Sequence, residues 1–103
     1  MTPEHTVLRF ADVVLDDGAH EVLRGGRPVD LTPTEYRLLR FFLLDPQRVH
    51  TREQILDGVW GDSRVEPGEV ETYVSYLRRK LDPLGPPLIR TVRSFGYALR
   101  PPS

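Results

Sequence analysis

The spacing of apolar residues changes twice along the chain, which predicts a strand-rich start, a helical middle and a short strand-rich end. From residue 7 to residue 29, short apolar runs alternate with turn residues, and Gly25-Gly26 is typical of a two-residue hairpin turn. The pattern predicts four antiparallel strands at residues 7–10, 13–15, 21–24 and 27–29. Because Pro28 cannot donate a backbone hydrogen bond, we expect its strand at an edge of the sheet.

Two helices in the middle of the chain begin with capping signals. Thr32 is followed three residues later by Glu35, and together they form a capping box at the start of a helix. An apolar stripe follows, and Pro46 ends it, so we expect the first helix between Thr32 and Pro46. A second capping box at residues 51–54 opens a short apolar segment, which predicts a second helix that extends to about residue 60. Residues 61–68 form a loop of mixed charge.

Residues 69–81 have the clearest helical period. Four apolar residues fall within about 60° on a helix with about 100° per residue, a narrow seam suited to packing on a core. They are Val70, Val74, Leu77 and Leu81. The remaining faces carry hydroxyls, a phenol and guanidinium groups, which are suited to reading a polar groove. The alternative interpretation is an ordinary surface helix with a solvated charged face.

A hairpin closes the chain. The proline-rich segment 83–87 ends the third helix, and residues 88–92 and 97–99 are predicted to pair around a tip at 93–96, near which basic residues lie. Three helices followed by a basic hairpin are the pattern of a winged helix-turn-helix, an α+β fold. In that fold the third helix can enter the major groove of DNA, while the hairpin can reach the backbone or the minor groove.

Charge adds a spatial asymmetry to this picture. The 103 residues have a net charge of -1, which argues weakly against a nucleic-acid binder. From residue 71 onward, however, six basic residues stand against two acidic ones, a local charge of +4. A field of this kind could orient the molecule on a polyanion.

Length and composition set the remaining expectations. We expect a single domain over residues 1–103, with tails at 1–6 and 101–103. The chain has no cysteine, no apolar run of the roughly 20 residues needed to span a bilayer and no signal-peptide pattern. A cytoplasmic protein that does not contact membranes is therefore expected.

No catalytic or metal-binding pattern is evident. His5, His20 and His50 are scattered over three early segments without the spacing of metal ligands. The Gly25-Gly26 pair fits a hairpin turn and not a phosphate-binding loop, and no nucleophile is paired with a base. The sequence therefore predicts no enzyme activity, no metal and no cofactor.

Four segments carry a specific family resemblance. They are residues 31–36, residues 51–56 with Trp60, residues 70–81 and residues 89–97. Together they resemble the DNA-binding effector domain of OmpR/PhoB-family two-component response regulators, over about residues 7–100. The resemblance implies an N-terminal four-stranded sheet, three helices and a C-terminal hairpin wing. It also implies sequence-specific binding to double-stranded DNA at tandem direct-repeat half-sites, by a chain that is a monomer in isolation.

The resemblance implies three groups of site residues. The recognition helix 69–81 would place these in the major groove: Glu71, Thr72, Ser75, Tyr76, Arg78, Arg79 and Lys80. The wing 88–99 would place these at the minor groove or the backbone: Arg90, Thr91, Arg93, Ser94 and Tyr97. The loop between the second and third helices would contact RNA polymerase through Trp60, Gly61, Asp62, Ser63, Arg64, Val65 and Glu66.

Several roles stay open at this point. Arg78 and Lys80 are expected to bind phosphates, against a solvated flank as the alternative. Glu71 could accept a hydrogen bond from a cytosine amine or orient Arg78 or Ser75. Tyr73 could pack or contact DNA, and Trp60 is expected in the core rather than at a partner.

Two features depart from the family pattern. The wing tip has Ser94 where glycine is usual, which could alter the turn. The receiver domain that carries the phosphorylated aspartate in this family does not appear in the sequence. The competing functional hypothesis is a winged-helix module that binds a protein through the face of helix 69–81.

Overall fold

The computed structural model describes residues 6–61 and 65–102. The predicted tail residues 1–5 and 103 lie outside the described residues, as do Asp62, Ser63 and Arg64 of the predicted polymerase loop. Within the described ranges, no helix is both long and apolar enough to span a bilayer.

The N-terminal sheet has the predicted order and turn. Its antiparallel strands are β1 (Val7–Phe10), β2 (Val13–Asp16), β3 (Glu21–Arg24) and β4 (Arg27–Pro28), arranged in chain order. Pro28 therefore lies in an edge strand. Gly25 and Gly26 form the β3–β4 turn with φ angles of 57° and 79°, the left-handed conformation that such a hairpin turn requires.

Three helices follow the sheet. They are α1 (Pro33–Leu44), α2 (Arg52–Ile55), which continues as a π-helical turn (Leu56–Trp60), and α3 (Gly68–Leu81), which continues as a 3₁₀ turn (Asp82–Leu84). Both predicted capping boxes are present. In the first, the Glu35 amide donates to Thr32 Oγ1 (3.3 Å), and the Thr32 amide donates to Glu35 Oε1 (2.9 Å).

The π-helical turn was not predicted from the sequence, and a tertiary contact accompanies it. Gly58 lies in this turn directly against the ring of Phe41 on α1. A Cβ atom at Gly58 would stand 2.2 Å from Phe41 Cε1, which is far inside van der Waals contact. A side chain at position 58 would therefore require the Phe41 ring to move.

The apolar seam of α3 is buried as predicted. Val70, Val74, Leu77 and Leu81 are all at most 1% exposed. They belong to one core cluster with side chains from the sheet, α1 and α2, which include Val13, Leu15, Val22, Leu38, Leu39, Phe42 and Ile55. The opposite side of α3 is thereby turned away from the core.

The C-terminal hairpin pairs β5 (Ile89–Val92) with β6 (Gly96–Leu99). Near its turn it is tied to the segment before α2, because His50 and Tyr97 exchange two backbone hydrogen bonds of 2.8 and 3.0 Å. Gly96 has a φ of 152°, and a Cβ atom there would lie 1.9 Å from the carbonyl oxygen of His50. Glycine at position 96 is thus needed for the hairpin to lie against this segment.

A buried arginine joins the sheet to the end of α3. Arg24 is 1% exposed and lies on the inward side of β3. Its Nη1 donates to the carbonyl of Leu81 (2.8 Å), its Nη2 donates to the carbonyl of Pro86, and its Nε donates to Asp12 Oδ1 (3.1 Å). A cation at a helix C-terminus is favoured by the helix dipole. Arg24 therefore fixes the position of α3 relative to the sheet.

Candidate nucleic-acid interface

The outward face of α3 collects four of the predicted site residues. Thr72 and Ser75 are partly exposed, Arg79 is exposed, and Tyr76 is 41% exposed. Each lies on the side of the helix opposite the buried seam. The structure therefore brings these side chains together on one accessible surface.

Aromatic side chains support one edge of this face. Trp60 and Tyr73 meet edge to face with ring centroids 5.6 Å apart, and Tyr73 meets Tyr76 in the same way at 5.4 Å. Trp60 and Tyr73 also pack against the core, whereas Tyr76 is the outer ring of the three. Packing is thus the observed role of both Trp60 and Tyr73 within the domain.

Glu71 lies on the wing side of α3 and has a partner that the sequence did not suggest. Its Oε1 forms an ion pair with Arg52 Nε at 2.7 Å, and both side chains are between 40% and 49% exposed. Arg52 comes from the start of α2, so this pair links the second and third helices. The orienting partner of Glu71 is therefore Arg52, where Arg78 or Ser75 had been considered.

Arg78 connects α3 to the wing. Its Nε and Nη2 donate to the carbonyl of Ile89 at 3.2 and 2.9 Å, and Nη2 also donates to Thr91 Oγ1 at 2.9 Å. The guanidinium carbon lies 5.7 Å from the centroid of the Tyr97 ring, in cation–π range. Burial, together with the nearby Glu71 carboxylate, raises the pKa of the Tyr97 phenol, so this ring stays neutral. These contacts hold the recognition helix and the wing at a fixed separation.

Lys80 lies on the other flank of α3 and pairs with α1. Its Nζ lies 2.6 Å from Oε1 of Glu35, whose residue is only 3% exposed. Burial alone would raise the pKa of the Glu35 carboxyl, but the hydrogen bonds from Lys80 and Thr32 outweigh it and the pKa is lowered. Arg78 and Lys80, both expected to bind phosphates, therefore have partners inside the domain.

The wing presents a mostly exposed surface. Arg90, Thr91, Arg93 and Ser94 are exposed, and Tyr97 is half-buried. Ser94 adopts a φ of 70°, so it takes the left-handed conformation at the position where the family pattern has glycine. Phe95 beside it is 69% exposed, and no sequence signal had pointed to this residue as part of the site.

The described part of the α2–α3 loop is short. Gly61 ends the π-helical turn with a φ of 62°, and its amide donates to the carbonyl of Asp57 at 3.0 Å. Val65 is half-buried, and Glu66 is exposed with its carbonyl accepting from the amide of Glu69 at 2.9 Å. Gly61 and Glu66 are thus the exposed members of the predicted polymerase loop among the described residues.

Comparison with known proteins identifies the class of domain. Residues 26–99 match the family described as "Transcriptional regulatory protein, C terminal". The chain belongs to this family, which confirms the resemblance to OmpR/PhoB-type effector domains and the winged-helix fold.

Individual relatives agree with this assignment. Transcriptional regulatory protein TrcR of Mycobacterium tuberculosis is 46% identical over 101 residues, which are 97% of this chain and 39% of that protein. Response regulator MprA of Mycolicibacterium vanbaalenii is 48% identical over 99 residues, which are 94% of this chain and 43% of that protein. The chain therefore spans about two-fifths of the length of these relatives.

A solved structure aligns over nearly the whole domain. The DNA-binding domain of response regulator AdeR, crystallised in complex with an intercistronic region, superposes with a TM-score of 0.82 at 29% identity. The superposition covers 91% of this chain and 99% of that one.

Proposed function

We propose that this domain binds double-stranded DNA sequence-specifically and regulates transcription as the output domain of a response regulator, without catalysis. The observation that carries this proposal is the joint surface formed by the outward face of α3 and the wing, which Arg78 holds together. Family membership, the response-regulator relative MprA and the DNA complex of the AdeR domain support it.

Each half of this surface has a distinct part in the proposal. α3 lies in the major groove, where base edges can be distinguished, and Arg79 contacts a base edge or a phosphate from its outward face. The wing lies at the minor groove, whose negative potential favours Arg93 at the hairpin tip. Arg90 and Thr91 on the exposed strand β5 contact the backbone.

The proposal extends to partners. The domain is a monomer in isolation and occupies tandem half-sites in direct orientation, about one helical turn apart. The segment 60–66 contacts RNA polymerase. A receiver domain on the same protein controls DNA binding, and the protein works in the cytoplasm. The length of the relatives, more than twice that of this chain, supports an additional domain.

Selection of bound duplexes from a random pool, followed by affinity measurements on variants, tests this function. Arg79→Ala should cost about 1–3 kcal/mol on the selected site and much less on scrambled DNA. Arg93→Ala should weaken all duplexes more evenly, most of all those with A·T-rich flanks. Both variants should melt like the wild type, whereas Leu77→Ala should lose about 2–5 kcal/mol of stability because it opens a cavity in the core.

The second candidate is a protein-interaction module, and the exposure of Tyr76 and Phe95 is the observation that favours it. Exposed aromatic side chains are common anchors at protein interfaces. Absence of duplex binding at low salt would reject the DNA proposal and leave this candidate.

A further inference from the structure

The part of α3 that would lie deepest in the groove carries no cation. Recognition helices contact base edges with residues near their N-termini, and the commonest specific contact is an arginine or lysine on guanine. Residues 68–77 of α3 contain no arginine and no lysine. Arg79 is the first cation on the outward face and lies about three turns from the helix start. The first turns must therefore read bases by another chemistry.

Thr72 lies on the outward face of α3. Its hydroxyl donates a hydrogen bond of 3.2 Å to the carbonyl of Gly68 one turn earlier on the same helix. The hydroxyl hydrogen is thus used within α3, and the γ-methyl and the hydroxyl lone pairs are the groups left for contact. Gly68 itself leaves open space, since a Cβ atom there would meet nothing within 4 Å.

Tyr76 adds a supported apolar ring to the same face. It lies one turn after Thr72, it is 41% exposed, and its ring is braced edge to face by Tyr73, which Trp60 braces in turn. A ring held in this way loses little conformational entropy when it contacts a ligand.

Glu71, the predicted site residue suited to cytosine, already has one carboxylate oxygen in an ion pair. A carboxylate reads cytosine by accepting from its amine. Here Glu71 Oε1 is ion-paired with Arg52 at 2.7 Å, which holds the carboxylate toward α2. The hydroxyl oxygens of Thr72 and Ser75 on this face can bond to more than one base, so they discriminate little between bases. The groups that match a single base are the Thr72 methyl and the Tyr76 ring, and the base-edge feature that fits them in the major groove is the 5-methyl group of thymine.

We propose that the first turns of α3 read their part of the half-site by apolar contacts of Thr72 and Tyr76 with thymine 5-methyl groups, without arginine–guanine pairing at those positions. This inference rests on the proposed DNA-binding function and specifies the chemistry of the sequence that is bound. It predicts that each half-site contains at least one thymine at a position opposite the first turns of α3.

The experiment removes the methyl groups without changing base pairing. Thymines in the selected duplex are replaced one at a time by 2′-deoxyuridine, and the affinity of each duplex is measured. Loss of one contacted methyl should weaken binding about fourfold, as expected for the burial of a single methyl group. Replacements outside the half-site serve as the control and should leave affinity unchanged.

A matched pair of variants at position 72 assigns the contact. Thr72→Ser keeps the hydroxyl and removes the methyl, so its affinity should become insensitive to deoxyuridine at one position. Thr72→Val keeps a methyl in the same place, so it should retain the fourfold discrimination. Tyr76→Ala should remove the sensitivity at a neighbouring position, and thermal melts should show all three variants folded because the side chains project away from the core.

Two results would overturn this inference while leaving DNA binding intact. One is a selected site that binds equally well with every thymine replaced by deoxyuridine. The other is a Thr72→Ser variant that discriminates thymine from deoxyuridine as well as the wild type does. Failure to bind any duplex at low salt would instead reject the proposed function itself, and the inference with it.

Discussion

Glu35 shows how far a local motif can be read from sequence. The capping box was predicted because both of its partners lie within three residues, and the structure confirms it. The ion pair of Glu35 with Lys80, 45 residues later, has no such local signal. Lys80 was consequently assigned to phosphate binding. The helical period shows that Lys80 lies on the flank of the helix, but it cannot show whether that flank faces solvent or a partner on another helix.

For Arg24, too, the sequence pattern predicts the burial of the side chain but not its partners. Strand alternation places it on the same inward side as Val22, so a buried arginine was predictable from the pattern of β3. Its acceptors, the carbonyls of Leu81 and Pro86, depend on how α3 ends against the sheet. Local periodicity therefore indicated burial, but the tertiary fold determined the partners.

The buried position of Glu35 leads to a prediction about pH. The pKa of the Glu35 carboxyl is lowered in the folded protein, so its charged form stabilises the fold. This stabilisation is fully present above the unfolded pKa of about 4.3, and it is lost as pH falls through the lower pKa of the folded state. Glu35→Gln preserves a capping acceptor but removes the charge that binds Lys80. It should cost about 1–2 kcal/mol at pH 7 and clearly less at pH 3, as measured by urea unfolding.

Asp45→Asn is the matched control for this experiment. Asp45 pairs with Arg48 at 3.3 Å, but both side chains are at least half exposed, so the loss of this pair should be small at either pH. An equal destabilisation of Glu35→Gln at both pH values would contradict the assigned role of the carboxylate.

At the scale of elements, periodicity and capping predicted the three helices and the hairpin to within one or two residues at most ends. The π-helical turn after α2 was missed because it depends on the contact between Gly58 and Phe41, which are 17 positions apart in the chain. The link between α3 and the wing was missed for the same reason. Arg78 looks like any other flanking arginine until β5 is folded against it.

This link predicts energetic coupling between recognition helix and wing. In an Arg78→Met background the wing loses its fixed distance from α3, so Arg93→Ala should cost less than it costs in the wild type. A double-mutant cycle on the selected duplex should give an interaction free energy of about 1 kcal/mol for positions 78 and 93. The control cycle, Arg79→Ala with Arg93→Ala, should be additive within about 0.5 kcal/mol, because Arg79 is exposed on the outward face of α3, about 100° around the helix from Arg78. Additivity in both cycles would show that Arg78 does not transmit the position of the wing.

At the scale of the whole molecule, the net positive charge lies in the C-terminal part of the chain, where the candidate interface lies. The sequence alone predicted this asymmetry, and a cluster of five cations suggested about four neutralised phosphates: Arg78, Arg79, Lys80, Arg90 and Arg93. The structure gives at least Arg78 and Lys80 partners within the domain, and Arg90 is not free either. The folded arrangement, rather than the count of basic residues, therefore sets how many phosphates are neutralised.

Salt dependence measures that number directly. Each neutralised phosphate contributes about 0.9 to the slope of log K against log salt, so five contacts would give a slope of about -4.5, and each cation that keeps a partner within the domain makes it shallower by about 0.9. We predict a slope clearly shallower than about -4.5 for the wild type. Arg93→Gln should reduce the slope by about 0.9, whereas Lys80→Gln should leave it unchanged, because Lys80 stays with Glu35 at 2.6 Å. The double variant Glu35→Gln, Lys80→Gln repeats the measurement without an unpaired buried carboxylate. A slope reduced by one unit in both Lys80 variants would show instead that the lysine leaves Glu35 to bind a phosphate.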